Sequence, residues 1–162
     1  MTRAVAQPSA TAEDYLKAIY HLERGGGAAT RTVAERLRVA PASVSGMLRR
    51  LAAQGLIGHT PWRGFVLTPA GRRAALRTIR RHRVVETYLV QVLGYPVDRV
   101  HGEAERLEHA ASDDLVDRMA AAVGHPAVDP HGAPIPTRGH ARGHARGHAR
   151  GHAHVPRPAE PW

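Results

Sequence analysis

The sequence predicts a mainly α fold: two short helices joined by a tight turn, a β-hairpin, longer helices, and a low-complexity tail. Three observations carry that prediction. Apolar residues recur at helical spacing from near the start of the chain to about position 123, and Gly and Pro punctuate the segments. Leu56–Thr60 and Gly64–Leu67 read as short strands, with Pro61-Trp62-Arg63-Gly64 supplying the turn chemistry. From Arg138 to Ala153 an Arg-Gly-His-Ala unit repeats four times before His154, and glycine at every fourth position opposes helix while nothing there can form a core.

Each element follows from local chemistry. Residues 1–10 are expected to be disordered. Thr11 is expected to cap a helix over Ala12–Arg24, with Tyr15, Leu16, Ile19, Tyr20 and Leu22 mostly on one face and Gly25-Gly26-Gly27 as its stop. Thr30 is expected to cap a second helix with Val33, Ala34 and Leu37 inward. Arg38-Val39-Ala40 then turns into Pro41, which suits the first position of a third helix. That helix points Val44, Met47, Leu48 and Leu51 inward and stops at Gln54-Gly55. After the hairpin, Thr68-Pro69 opens a long helix to about Leu93, and Gly94-Tyr95-Pro96 breaks it. A helix over 97–111 follows. Ser112 then caps a last helix to Val123, with Asp113, Asp114 and Asp117 near its N-terminus and Gly124 as a stop. Residues 129–137 are irregular.

In that order the elements spell a winged helix-turn-helix over 11–70, a second helical domain over 71–136, and a disordered C-terminal tail over 137–162. Met1–Ala10 holds no apolar run suited to a signal peptide, and no stretch approaches a membrane span, so a cytoplasmic protein without a membrane partner is expected. The absence of Cys excludes disulfides, thiolate metal sites and cysteine nucleophiles.

Charge divides along the same boundaries. The net charge of +9 splits into +11 over residues 1–85, −6 over 86–137 and +4 over 138–162. A basic front half suits a polyanion, and an acidic middle suits a cation. Within the front half, Ser43, Ser45, Arg49 and Arg50 are the polar positions of the third helix. Such hydroxyls and guanidiniums can reach base edges and phosphates of double-stranded DNA. Thr30, Arg31 and Thr32 at the start of the second helix belong to the same DNA-binding set. Arg63 at the hairpin tip can reach backbone or minor groove, and Arg72, Arg73, Arg77, Arg80, Arg81 and Arg83 add a positive field.

The 97–111 helix carries two stripes. Val100, Ala104, Leu107 and Ala111 form a core face, and His101, Glu105, Glu108 and His109 form a second face beside it. Four metal-capable side chains on one helical surface are costly to leave unpaired if that face is buried, and a divalent cation would satisfy them. On the long helix before it, His82 and Glu86 stand i, i+4 and can share a site.

The stretches EDYLKAIYHLE (13–23), RRHRVVETYLVQVLG (80–94), RVHGEAERLEHAASDDLVDRM (99–119) and DPHGAPIP (129–136) resemble the diphtheria toxin repressor family of metalloregulators, closest to its manganese-sensing branch. The resemblance implies a homodimeric repressor of metal-homeostasis genes, with a helical metal-binding and dimerisation domain, a palindromic DNA operator and no small-molecule substrate. It implies one metal site from Asp14, Glu105, Glu108 and His109 and another from His82, Glu86 and His101. The corepressor it implies is Mn(II), with Fe(II) as the alternative: the iron branch has sulfur ligands where Asp14 and Glu105 stand, and carboxylates suit harder ions.

Three departures go with the resemblance. Lys17 replaces a Glu used by some manganese sensors, the C-terminal SH3-like domain of many members is not expected, and Gly46 replaces a polar base-contacting side chain, which leaves more to DNA shape and phosphates. Two other functions stay open. One is a metalloenzyme. The other is a metal buffer acting through His140, His144, His148, His152 and His154, which could hold Ni(II), Zn(II) or Cu(II) loosely.

Overall fold

The computed structural model describes residues 7–139. Among them run α1 (Ala10–Arg24), α2 (Thr30–Leu37), α3 (Pro41–Ala53), β1 (Ile57–Thr60), β2 (Gly64–Leu67), α4 (Pro69–Gln91), α5 (Val100–Glu108) and α6 (Asp113–Ala122). The strands pair antiparallel, from Ile57 opposite Leu67 to Thr60 opposite Gly64. The mainly α winged helix-turn-helix with a second helical unit is therefore as expected.

Several boundaries move, each for a visible reason. α1 starts at Ala10 because Ser9, not Thr11, caps it: the Ser9 hydroxyl accepts from the Ala12 amide at 3.3 Å. The chain at 9–10 thus belongs to the helix and not to a disordered end. Thr30 is the first residue of α2, not its cap, and Ala29 holds the cap position without a side-chain bond. α5 is shorter than 97–111. The amides of Arg99 and Val100 both bond to the Pro96 carbonyl, so the chain turns there before the helix begins. At its far end His109 is the C-cap.

Three apolar clusters lie along α4, one near its start and two further along. The first gathers Leu16 and Ile19 of α1, Val33 of α2, Val44, Leu48 and Leu51 of α3, Leu56 and Ile57, Leu67, and Ala75 of α4. Further along α4, Val85 and Leu89 pack on Val100 and Ala104 of α5, and Val84 packs on Val116 and Ala120 of α6. At 1.5 Å per residue the 23 residues of α4 reach about 35 Å, enough to serve all three clusters. The boundary expected between residues 70 and 71 falls in the first turn of this helix, so the halves share an element rather than a linker.

Leu107 is a correction to the core stripe, at 38% exposure. The helix is rotated so that Glu108 is buried instead, with no exposure at all.

Close backbone approach fixes where the hairpin meets α4. A Cβ on Gly71 would stand 1.8 Å from the Leu56 carbonyl oxygen. The Thr68 hydroxyl caps α4 at Gly71 and also donates to the Gly55 carbonyl at 2.7 Å. Gly71→Ala is therefore expected to destabilise the protein by at least about 2 kcal/mol, because backbone rather than a flexible side chain must yield. Urea unfolding of the variant checks this, and an unchanged midpoint would show that the hairpin can slide.

Candidate metal centre and nucleic-acid face

Two donor clusters lie on either side of Glu108, where α1 and α4 meet α5. The first joins Asp14 of α1 to Glu108 and His109 at the end of α5, with one ligand atom from each inside a span of 4.8 Å. His109 Nε2 stands 3.0 Å from Asp14 Oδ1 and 3.4 Å from Glu108 Oε1. Its other nitrogen, Nδ1, lies 2.8 Å from Glu13 Oε2. Both ring nitrogens thus face carboxylates; with a cation on Nε2, Nδ1 would keep its proton and donate it to Glu13, which orients the ring. Glu13 is itself buried and fixed by Arg81 at 3.2 Å. Sequence reasoning missed this orienting role. Successive helical residues point about 100° apart, and only Asp14 was placed at the site.

The second cluster joins His82 and Glu86 of α4 to His101 of α5. His82 Nε2 is 2.9 Å from Glu86 Oε1 and 3.0 Å from His101 Nδ1. Its Nδ1 meets Glu108 Oε2 at 2.5 Å. Glu108 thus serves the second cluster as Glu13 serves the first, and one buried carboxylate touches both.

Glu105 does not join the first cluster. It pairs with His101 at 3.3 Å, half exposed. Helical side chains lean toward the N-terminus of their helix, so Glu105 meets the residue four before it rather than the one four after. His131 was not expected at the site, because its loop has no periodicity to read. Asp129 is buried and accepts from the His131 and Ala133 amides, both at 2.9 Å, and that turn brings His131 Nε2 to 3.8 Å from Glu86 Oε1. Both clusters border one recess of about 980 Å³.

The electrostatics suit a cation. Burial alone would push the Glu108 carboxyl up, but the hydrogen bond from His82 and the nearby Lys17 ammonium outweigh it and hold it below the usual carboxylate range. Glu86 is lowered in the same way, against burial, by His82 and His101. Burial opposes a charge on His82, yet its bonds to Glu108 and Glu86 prevail and push it up to about 9. At pH 7 His82 therefore carries a proton that a cation on Nε2 must displace. Metal uptake is expected to release about one proton per chain, and affinity should rise with pH until about 9. Calorimetry in two buffers of different ionisation enthalpy measures the release. No release at pH 7 would exclude His82 as a ligand. Carboxylate oxygen and imidazole nitrogen, with no sulfur, form a donor set that fits a divalent ion such as Mn(II) or Fe(II).

On the other side of the first core, Ser43, Ser45, Arg49 and Arg50 are exposed on α3, and Gly46 between them has open space where a side chain would stand. Arg31 is exposed and pairs with Glu35 at 2.8 Å, while the Thr32 hydroxyl donates to the Ala29 carbonyl. Thr30 is half-buried at the start of α2. Arg63 follows Trp62 at the hairpin tip, where Trp62 is fully exposed with φ 69°. The Arg63 carbonyl accepts from the Ala28 amide at 3.2 Å, which ties the tip to the loop after α1.

The arginines of α4 are a correction. Arg72 pairs with Glu23, Arg77 with Asp113, Arg80 with Asp117, Arg81 with Glu13 and Asp113, and Arg83 with Asp129. These five are held in ion pairs rather than forming a free positive field, and Arg81 with Glu13 links the two halves; Arg73 is exposed and has no ion pair among the described residues. The five tail histidines at 140, 144, 148, 152 and 154 lie outside the described residues.

A winged helix-turn-helix whose first helix shares a nitrogen- and oxygen-donor cluster with a second helical unit defines a class of DNA-binding proteins with a built-in metal-binding domain. Comparison with known proteins agrees in both parts. Residues 8–65 match the iron dependent repressor N-terminal DNA binding domain, and residues 68–137 match the iron dependent repressor metal binding and dimerisation domain. The transcriptional regulator MntR of Lysinibacillus sphaericus is 33% identical over 114 residues, covering 70% of this chain and 81% of that protein. The chain belongs to the diphtheria toxin repressor family of iron-dependent repressors. The iron-dependent repressor IdeR of Mycobacterium leprae is 39% identical over 127 residues, covering 78% of this chain and 55% of that protein. A solved manganese-dependent transcriptional repressor in complex with manganese is 47% identical, with a TM-score of 0.71 over 78% of this chain and 59% of the other. The chain spans about half the length of the mycobacterial and corynebacterial relatives it matches.

Proposed function

We propose that this protein is a metal-activated transcription repressor, with Mn(II) as preferred corepressor and Fe(II) as alternative. It acts as a cytoplasmic homodimer on a palindromic operator. One observation carries the reading: Asp14 of the DNA-binding half meets Glu108 and His109 of the second half in one cluster. A cation held there would tie α1 to α5 and favour a single arrangement of the DNA-reading half. Binding to that arrangement alone makes metal an activator. When bound, the ion supplies the positive charge that lets these carboxylates and imidazoles converge.

Asp14, Glu108 and His109 would hold one ion. His82, Glu86 and His101 would hold another, with His131 beside them. Glu105 stays a candidate only through His101. Oxygen donors in place of sulfur support the manganese preference. Ser43, Ser45, Arg49, Arg50 and Arg63 are the DNA contacts, with Thr30, Arg31 and Thr32 flanking them. Exposed Val92, Leu93, Tyr95, Val97, Leu107 and Leu115 cluster in sequence around the end of α4, α5 and α6, and support dimerisation through the second unit. The relatives are named as repressors and regulators, so the metalloenzyme alternative is not carried further.

The test is DNA binding by fluorescence anisotropy, on duplexes selected from a random library by the Mn(II)-loaded protein. Metal-free, Mn(II), anaerobic Fe(II), Zn(II) and Ni(II) forms are compared. Mn(II) or Fe(II) should tighten binding by at least about 10-fold, within the usual range of allosteric coupling. Equal affinity with and without every metal rejects the reading.

A further inference from the structure

We infer that Lys17 is a tethered counter-cation that competes with the divalent ion for Glu108, and so sets the metal concentration at which the first cluster fills. The inference rests on the metal-activated reading above and deepens it.

Lys17 Nζ donates to Glu108 Oε1 at 2.6 Å. This is the oxygen that faces His109 Nε2, whereas Oε2 is engaged by His82. The donor oxygen that Glu108 turns toward the first cluster is therefore already satisfied by a positive charge of the chain itself. Glu108 has no exposure, and a buried carboxylate without a partner is costly. Lys17 removes that cost before any ion arrives.

The same contact makes Lys17 a rival. An ion that takes Oε1 must separate the ammonium from it and then bear a like charge nearby, and both effects weaken metal binding. Lys17 has the means to withdraw. Its side chain is 18% exposed and lines the recess that borders both clusters. A lysine ends in a compact charge on a flexible four-carbon stem, so the head can move while α1 stays in place. Asp14 and Lys17 stand three residues apart on α1, hence on neighbouring positions of one face. One turn of helix thus offers the ion a ligand and opposes it with a charge. Glu108 is the carboxylate that Lys17 hydrogen-bonds, and Asp14 also feels its charge, while Glu13 is taken by Arg81 and His109, and Glu86 by His82 and His101.

The experiment measures Mn(II) binding to the free full-length protein by isothermal titration calorimetry, without DNA. Lys17→Met keeps most of the stem and removes the charge. Lys17→Gln removes the charge and keeps a hydrogen-bond donor. Lys17→Arg keeps the charge. Met and Gln variants should bind Mn(II) about 10-fold more tightly than the wild type, a factor matching roughly one pKa-unit equivalent of charge interaction. The Arg variant should stay near the wild type.

Thermal melting supplies a second readout. The Met and Gln variants should melt lower than the wild type when metal-free, and saturating Mn(II) should raise their Tm by more than it raises the wild type. A merely structural lysine would lower Tm with and without metal and leave affinity unchanged or weaker. Wild type that binds Mn(II) while neither neutral variant binds it more tightly overturns this inference alone. Wild type that takes up no Mn(II), Fe(II) or Zn(II) overturns the metal-activated reading and this inference together.

Discussion

Glu108→Gln is expected to lower Mn(II) affinity by at least about 100-fold and to remove metal-dependent DNA binding. Loss of an outer-shell partner alone costs about 10–100-fold in metal affinity, and in the proposed arrangement Glu108 would be a ligand of one cluster and the outer partner of the other. The amide keeps the shape but carries no charge, so Lys17 loses its counter-ion and His82 loses an anionic acceptor. Removing one partner of a buried pair can cost about 3–5 kcal/mol, so the melting temperature belongs in the same experiment. His109→Ala should give the same loss of activation with a smaller effect on folding, since His109 is less buried. Calorimetry with Mn(II) and anisotropy with DNA read both effects. If a folded Glu108→Gln protein still answers to Mn(II), the clusters are not the sensor.

Arg49→Ala with Arg50→Ala is expected to weaken DNA binding by about 30-fold at 0.15 M salt. Each phosphate contact contributes about 0.9 to the slope of log K against log salt, so two lost contacts reduce that slope by nearly 2. Both side chains are exposed on α3, and neither is braced by a carboxylate among the described residues. The loss should be uniform across sequences. A defect confined to one base pair would mean that an arginine reads a base edge instead.

The candidate DNA-binding face and the candidate metal site were legible in the sequence to different degrees. Helix order, the β-hairpin and the capping of α4 by Thr68-Pro69 follow from local chemistry, and local chemistry is what a sequence shows. The i, i+4 spacing of His82 with Glu86, and of His101 with Glu105, was equally visible. What was hidden depends on which elements meet. Glu13 is adjacent to Asp14 in sequence yet serves from behind His109, a role that exists only once α1 packs beside α5. His131 arrives on a loop held by Asp129, with no periodic signal to announce it. The paired arginines of α4 looked like a charged surface because their carboxylates lie 32 to 68 positions away. Long-range pairing of this kind is set by the packed cores, and apolar spacing alone does not reveal it.

Glu105 shows the converse. Helical spacing puts it equally far from His101 and His109, and only the lean of side chains along the helix decides between them. Lys17 was visible as a substitution, but its consequence was not. The contact with Glu108 spans 91 positions, and by the inference above it would turn a missing ligand into a charge that the metal must displace.

The central claim is that metal occupancy and DNA binding are two readings of one equilibrium. The most direct test is a closed thermodynamic cycle on the full-length protein. It takes the DNA affinity with and without saturating Mn(II), and the Mn(II) affinity with and without saturating DNA. Coupling between sites is reciprocal, so the account predicts that Mn(II) tightens DNA binding and DNA tightens Mn(II) binding by the same factor, at least about 10. Mn(II) affinity that is identical with and without DNA would contradict it.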